Sequence, residues 1–171
     1  MGLFRKKKKD AALVDAVIEW GKKNAETEEM KRYYEAQADK QYQAARSAYY
    51  ELLTEIKETY AVINNVGSFV SEAGDRLIDR CVTAIEIDNS TREKRDYYDS
   101  ANFEYSEPHK VLSMVYEKRG EYQRAAMVCV LAIQEGYTKD GTNGGMRGRL
   151  ARMIKKGNLP ISDQMKEILN I

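Results

Sequence analysis

The sequence predicts an all-α protein, and three observations carry that expectation. Only two of its 171 residues are proline, it is rich in Ala, Glu, Lys, Arg, Met and Tyr, and its apolar residues recur at steps of three and four. Blocks of alternating Val, Ile and Thr, which would mark strands, are missing. The length suits one domain, or one small domain with an extension, and allows a real core. Hydrophobic residues make up 43% and charged residues 32%, with no apolar run long enough to span a bilayer. A net charge of +1 argues against a uniformly basic nucleic-acid binder.

Residues 1–9, "MGLFRKKKK", hold five consecutive basic residues and read as a disordered basic arm. The arm lacks the apolar core of a secretory leader, so a cytoplasmic location with reduced thiols is expected. Asp10 is placed to cap a short amphipathic helix whose stripe is Leu13, Val14, Val17, Ile18 and Trp20. Thr27 before Glu28 and Glu29 starts the next helix, with a hydroxyl at the cap and carboxylates in the first turn.

From Ala38 a heptad rhythm runs through Tyr42, Ala45, Tyr49, Leu52, Ile56, Thr59 or Tyr60, and Ile63. It predicts one long helix over about 27–64, ended by Asn64, Asn65 and Gly67, and completes an N-terminal helical region, 10–66. Ala and Tyr dominate the seam, which favours packing against neighbouring helices over a coiled coil, with a homo-oligomer through this helix as the other reading. Ser68 opens the next helix, with Phe69, Ala73, Leu77, Cys81, Ala84 and Ile85 on one face. The polar stretch from about 88 to 105 reads as a loop with some helical turn. Ser106, Glu107 and Pro108 then start a helix to about 119, and Gly120 separates it from a second over 121–135.

Both cysteines lie in one repeated phrase, "CVTAI" at 81–85 and "CVLAI" at 129–133. In each copy the phrase is the apolar face of a helix, so Cys81 and Cys129 are expected to be small buried hydrophobes in equivalent positions. The surroundings of the second copy, "PHKVLSMVYEKRGEYQRAAMVCVLAIQEGY", resemble a tetratricopeptide repeat. Leu112 and Tyr116 stand at the first helix's Leu and Tyr, Gly120 and Tyr122 fit the turn, and Ala125 and Ala132 fit the small positions of the second helix. His109, Ser113, Cys129 and Tyr137 depart from the motif's usual Trp, Gly, Phe and Pro.

The resemblance implies a helical-hairpin array over 67–171, with a degenerate repeat ahead of this one. It implies a non-catalytic adaptor that binds a protein or peptide in a groove lined by the first helix of each pair. On that helix Lys110, Met114 and Glu117 share the face opposite the core and are the expected partner contacts.

"DGTNGGMRGRLARMIKK" at 140–156 leads glycines into a basic helix. Gly144, Gly145, Arg147, Arg149 and Arg152 form a candidate anion site, weighed against a tight turn that lets a basic helix cap the stack. The spacing is not a P-loop, because Thr142 stands where Lys is required. A competing class is a peripheral membrane or nucleic-acid-associated protein using the basic segments 5–9 and 147–156. The chain has one histidine and no motif for a nucleophile, zinc or dinucleotide, so neither an enzyme nor a cofactor is expected.

Overall fold

The computed structural model describes residues 14–99 and 103–171 and is all-helical. The described residues form eight helices and no strand. They are α1 over residues 14–24, α2 Glu28–Ala38, α3 Lys40–Val66, α4 Glu72–Tyr98, α5 Glu107–Lys118, α6 Tyr122–Gln134, α7 Gly145–Gly157 and α8 Asp163–Leu169. Among them no helix is long and apolar enough to cross a membrane. The expected basic arm and the Asp10 cap lie outside the described residues. The chain divides into two compact units, one from Met1–Ala48 with Asp88–Ala101, the other from Tyr49–Ile87 with Asn102–Ile171.

In the first unit the single long helix expected over 27–64 is interrupted at Asp39. That residue leaves the helical region at φ −77°, ψ 86°, and its N–H still closes α2 on the Glu35 and Ala36 carbonyls. Its carboxylate accepts the Tyr42 N–H at 2.9 Å and so caps α3. Aspartate competes with the helical backbone through its own side chain, and here that competition wins. Lys94 Nζ, 2.7 Å from the same carboxylate, holds its pKa below the ordinary value.

The stretch expected to be a loop is helical, since α4 runs on to Tyr98. Its inward side is an ion pair where an aliphatic stripe was sought. Arg95 reaches both Asp88 oxygens at 2.7 and 2.9 Å, and both side chains are buried, one turn pair apart on one face. Tyr98 packs on buried Tyr42 with ring centroids 5.1 Å apart. A polar pattern thus conceals a buried face.

The second unit is a run of helical hairpins. Gly67 takes φ +69° and ends α3, and the next helix starts at Glu72 instead of Ser68, with Ser71 Oγ accepting the Gly74 N–H. Ile56 and Ile63 of α3, Leu77, Cys81 and Ala84 of α4, and Val111, Leu112 and Val115 of α5 share one core with Phe69 and Val128. Ala125, Ala126, Cys129, Val130 and Ala132 of α6 pack with Tyr137, Met146, Leu150, Met153 and Met165 in a second.

The two copies of the repeated phrase therefore sit in different cores. Cys81, Cys129, Ala84 and Ala132 are all wholly buried, and burial pushes each thiol up to about 12. Both hairpins turn on a left-handed residue, Gly120 after α5 and Asn158 after α7. The second of these, with α8 capped by Ser162, went unread in the sequence.

At the start of α7, Gly145 lies close to the backbone of the segment that follows α6. It has φ +55°, and a Cβ there would press into the Thr138 carbonyl oxygen. Gly148, one turn on, has open space around it. We expect Gly145→Ala to cost about 1–3 kcal/mol and Gly148→Ala to be neutral or to gain up to about 1 kcal/mol. Denaturation midpoints of the two variants, measured side by side, check this; equal midpoints would disprove the close approach.

Candidate functional site

The residues expected to contact a partner or an anion come together in the second unit, chiefly as partners of one another. Glu117, near the end of α5, is 14% exposed in its side chain and meets three cations of α7. Arg152 approaches it as a fork, Nε and Nη2 each at 3.2 Å, and Lys156 Nζ stands at 2.8 Å. Arg149 Nη1 lies at 3.6 Å. Positions 149, 152 and 156 fall on one face of α7 because they are spaced three and four apart.

Arg149 turns its other nitrogens to Asp140, with Nε at 3.0 Å and Nη2 at 2.9 Å. Asp140 is buried and also accepts the Thr142 N–H at 2.9 Å and its hydroxyl at 2.6 Å. An aspartate accepting from the backbone two residues on is the turn that these residues favour. For both acids burial opposes ionisation, but the cations and hydrogen-bond donors outweigh it. Glu117 and Asp140 are both held below their ordinary values.

Arg149 and Arg152 of the candidate anion site, and Lys156 beside them, are thus engaged by acids of the protein itself. Their acids come from 9 to 39 residues away in sequence, beyond any local pattern. The helix start is engaged too: Gly145 N–H donates to the Thr142 carbonyl at 3.1 Å, Met146 N–H to Thr138 at 2.9 Å, and Gly148 N–H to Gly144 at 2.9 Å. Of the candidate anion residues, Gly144, Arg147 and Arg152 are exposed, and Arg147 lines a cleft of about 420 Å³ with Gln134, Gln164 and Asn170. Lys110 lies against Tyr105, its Nζ 3.2 Å from the phenol oxygen, and Met114 is half-buried.

Sequence reasoning passed over a buried polar row. Ser106 Oγ and His109 Nδ1 are 2.8 Å apart, and His109 Nε2 lies 3.1 Å from Glu135 Oε2. Serine, imidazole and carboxylate in a row can activate a nucleophile where substrate reaches them. Here Ser106 is 4% exposed and His109 2%, with the tilted Tyr137 ring 5.3 Å from the imidazole, so the row clamps the start of α5 to the end of α6. The Ser-x-x-His spacing at a helix start was its only local signal.

The other feature missed is the tip of the α3–α4 hairpin. Val62, Val66 and Val70 are 63%, 70% and 80% exposed, while Ile63 and Phe69 beside them are buried. The tip is braced from α5, whose next residue, Arg119, donates Nε–H to the Phe69 carbonyl at 2.9 Å and reaches Asp75 at 2.7 Å. A Cβ on Gly74 would strike the same carbonyl. Val70 is thus held outward by an anchored neighbour.

No protein-family model matches this chain, and no curated protein or solved structure matches it.

Glu117 and Asp140, the two depressed carboxylates of this site, set a pH dependence. A group whose pKa is lower in the folded state stabilises it above the ordinary carboxylate range, and that stability is lost as pH falls through the folded value. Thermal stability is expected to hold from neutral pH down to about 5 and to decline below about 4. Glu117→Gln should lower the unfolding free energy by about 1–3 kcal/mol at neutral pH, by leaving α7 cations unpaired, and should flatten the acid decline. An unchanged acid limb in calorimetry would show that the pair contributes nothing.

Proposed function

We propose that this chain is a non-catalytic adaptor that binds a protein or peptide, built on helical hairpins of tetratricopeptide-like kind, with the valine tip of the α3–α4 hairpin as its contact surface. The observation that carries the reading is the exposure of Val62, Val66 and Val70 on a tip immobilised by Phe69 and Arg119. Valine is a poor helix former, and a tip facing only water would be better served by polar residues. Apolar side chains already fixed in place lose little entropy when a partner covers them.

The hairpin reading is supported by how the quoted repeat residues are used. Leu112, Ala125 and Ala132 are buried, and Gly120 takes the left-handed turn between α5 and α6. The α5 face contributes less than the resemblance implies, because Glu117 is spent on α7.

The test is capture from nuclease-treated lysate in high salt, comparing the natural chain with a Val62→Ser, Val66→Ser, Val70→Ser variant. A defined protein retained by the first and lost by the second, with thermal stability changed by no more than about 0.5 kcal/mol, is the expected result. The same proteins captured by both would refute the tip as the contact surface. Light scattering of the two forms shows whether the partner is a second copy.

A further inference from the structure

The end of α6, the first turn of α7 and one face of α8 line the cleft of about 420 Å³ in the second unit. Its apolar floor is Ile133 of α6 and Ile168 of α8, both half-buried and packed on the core that holds Met146 and Leu150. Gln164, Glu167 and Ile168 share a face of α8 because they are spaced three and four apart. Buried Met165 anchors that helix to the same core. Gln134 closes α6, Arg147 lies in the first turn of α7, and Asn170 follows α8.

The charged groups of this cleft have no partner within the fold, unlike others on the same helices. Arg149, Arg152 and Lys156 of α7 are engaged by Asp140 and Glu117, and Lys166 of α8 by Asp163. Among the described residues Arg147 and Glu167 make no ion pair, with each other or elsewhere, although both line one cleft. The side-chain amides of Gln134, Gln164 and Asn170 are likewise unengaged among the described residues. A guanidinium meets a carboxylate as a planar fork, and a carboxylate accepts from an ammonium. Carboxamides donate to the one and accept from the other. The volume falls near the lower end of the range of about 300–1,000 Å³ found for small-molecule sites.

We propose that this cleft binds a small zwitterion with an aliphatic side chain, a free amino acid or a dipeptide. Arg147 holds its carboxylate, Glu167 its ammonium, and Ile133 and Ile168 its side chain. A simple anion would bring a second negative charge into a cleft that already holds Glu167, and a simple cation would meet Arg147 in the same way. The cleft shares no residue with the valine tip, so the adaptor reading stands or falls without it.

The isotopically labelled full-length protein is titrated with leucine, leucyl-leucine, isocaproate, leucinamide and inorganic phosphate, and its amide chemical shifts are followed. Isocaproate is leucine without the amino group, and leucinamide is leucine with its carboxylate neutralised. Saturable shifts at the end of α6, the start of α7 and α8 are expected with a zwitterion at about 1 mM or below. Both truncated analogues should bind at least about tenfold more weakly. Tighter binding of leucine marks the free amino acid as the ligand, and tighter binding of leucyl-leucine marks the peptide.

Arg147→Gln should weaken the zwitterion by at least about tenfold and leave leucinamide unaffected, whereas Glu167→Gln should weaken it similarly and leave isocaproate unaffected. Both side chains are exposed, and unchanged denaturation midpoints verify that the variants keep the fold. No saturable shift with either zwitterion up to about 10 mM would overturn the proposal. So would variants that bind the zwitterion like the natural chain. Phosphate or isocaproate binding as tightly as leucine would overturn it in favour of a plain anion site.

Discussion

The second unit depends on α6 being thin. It packs against both α5 and α7, and a helix with a close neighbour on two sides cannot carry bulk on either. Ala125, Ala126, Cys129 and Ala132 are all wholly buried there, and they let the backbones approach. The larger side chains that fill the remaining space come from the neighbours, Val115 on one side and Met146, Leu150 and Met153 on the other. The second cysteine belongs to this constraint. It is small, apolar and tightly enclosed, and Cys81 plays the same part in α4.

Charge is used inside the protein as much as outside it. Arg149 is buried between Asp140 and Glu117, and Arg95 is buried on Asp88, so each unit contains a guanidinium that could not remain without its carboxylates. Such pairs add little net stability over apolar packing, but removing one partner strands the other. They fix which segments can meet. The carboxylates of Glu117 and Asp140 select the face of α7 that carries residues 149, 152 and 156, leaving Arg147 and Lys155 outward.

Where the helices begin and end was largely legible in the sequence, because caps and periodicity are local. Thr27, Pro108, Gly67 and Gly120 all act where their chemistry predicts, whereas Ser106 starts α5 without a side-chain cap bond and turns its hydroxyl to His109. Three misses have identifiable causes. Asp39 was hidden within an apolar rhythm that continues on both sides of it, and the end of α4 was hidden because its buried face is Asp88 and Arg95. Glu117 looked free because its partners are 32 to 39 residues away. Partnership between charges is a tertiary fact, and no periodicity encodes it. The exposure of Trp20 was equally illegible, since an apolar stripe in sequence looks the same whether it is covered or open.

The two buried thiols make the folded and unfolded chains respond differently to their surroundings. In the fold, Cys81 and Cys129 belong to separate cores, and with pKa values pushed up to about 12 they carry almost no thiolate at neutral pH. In the native molecule both thiols are therefore shielded from oxidants. Once unfolded, the same cysteines regain ordinary acidity and are free to pair across the 48 residues that separate them. A disulfide formed in that state would join two residues that the fold keeps in different cores. Protection of the cysteines is thus a property of folding itself, and unfolding in an oxidising medium becomes a one-way step.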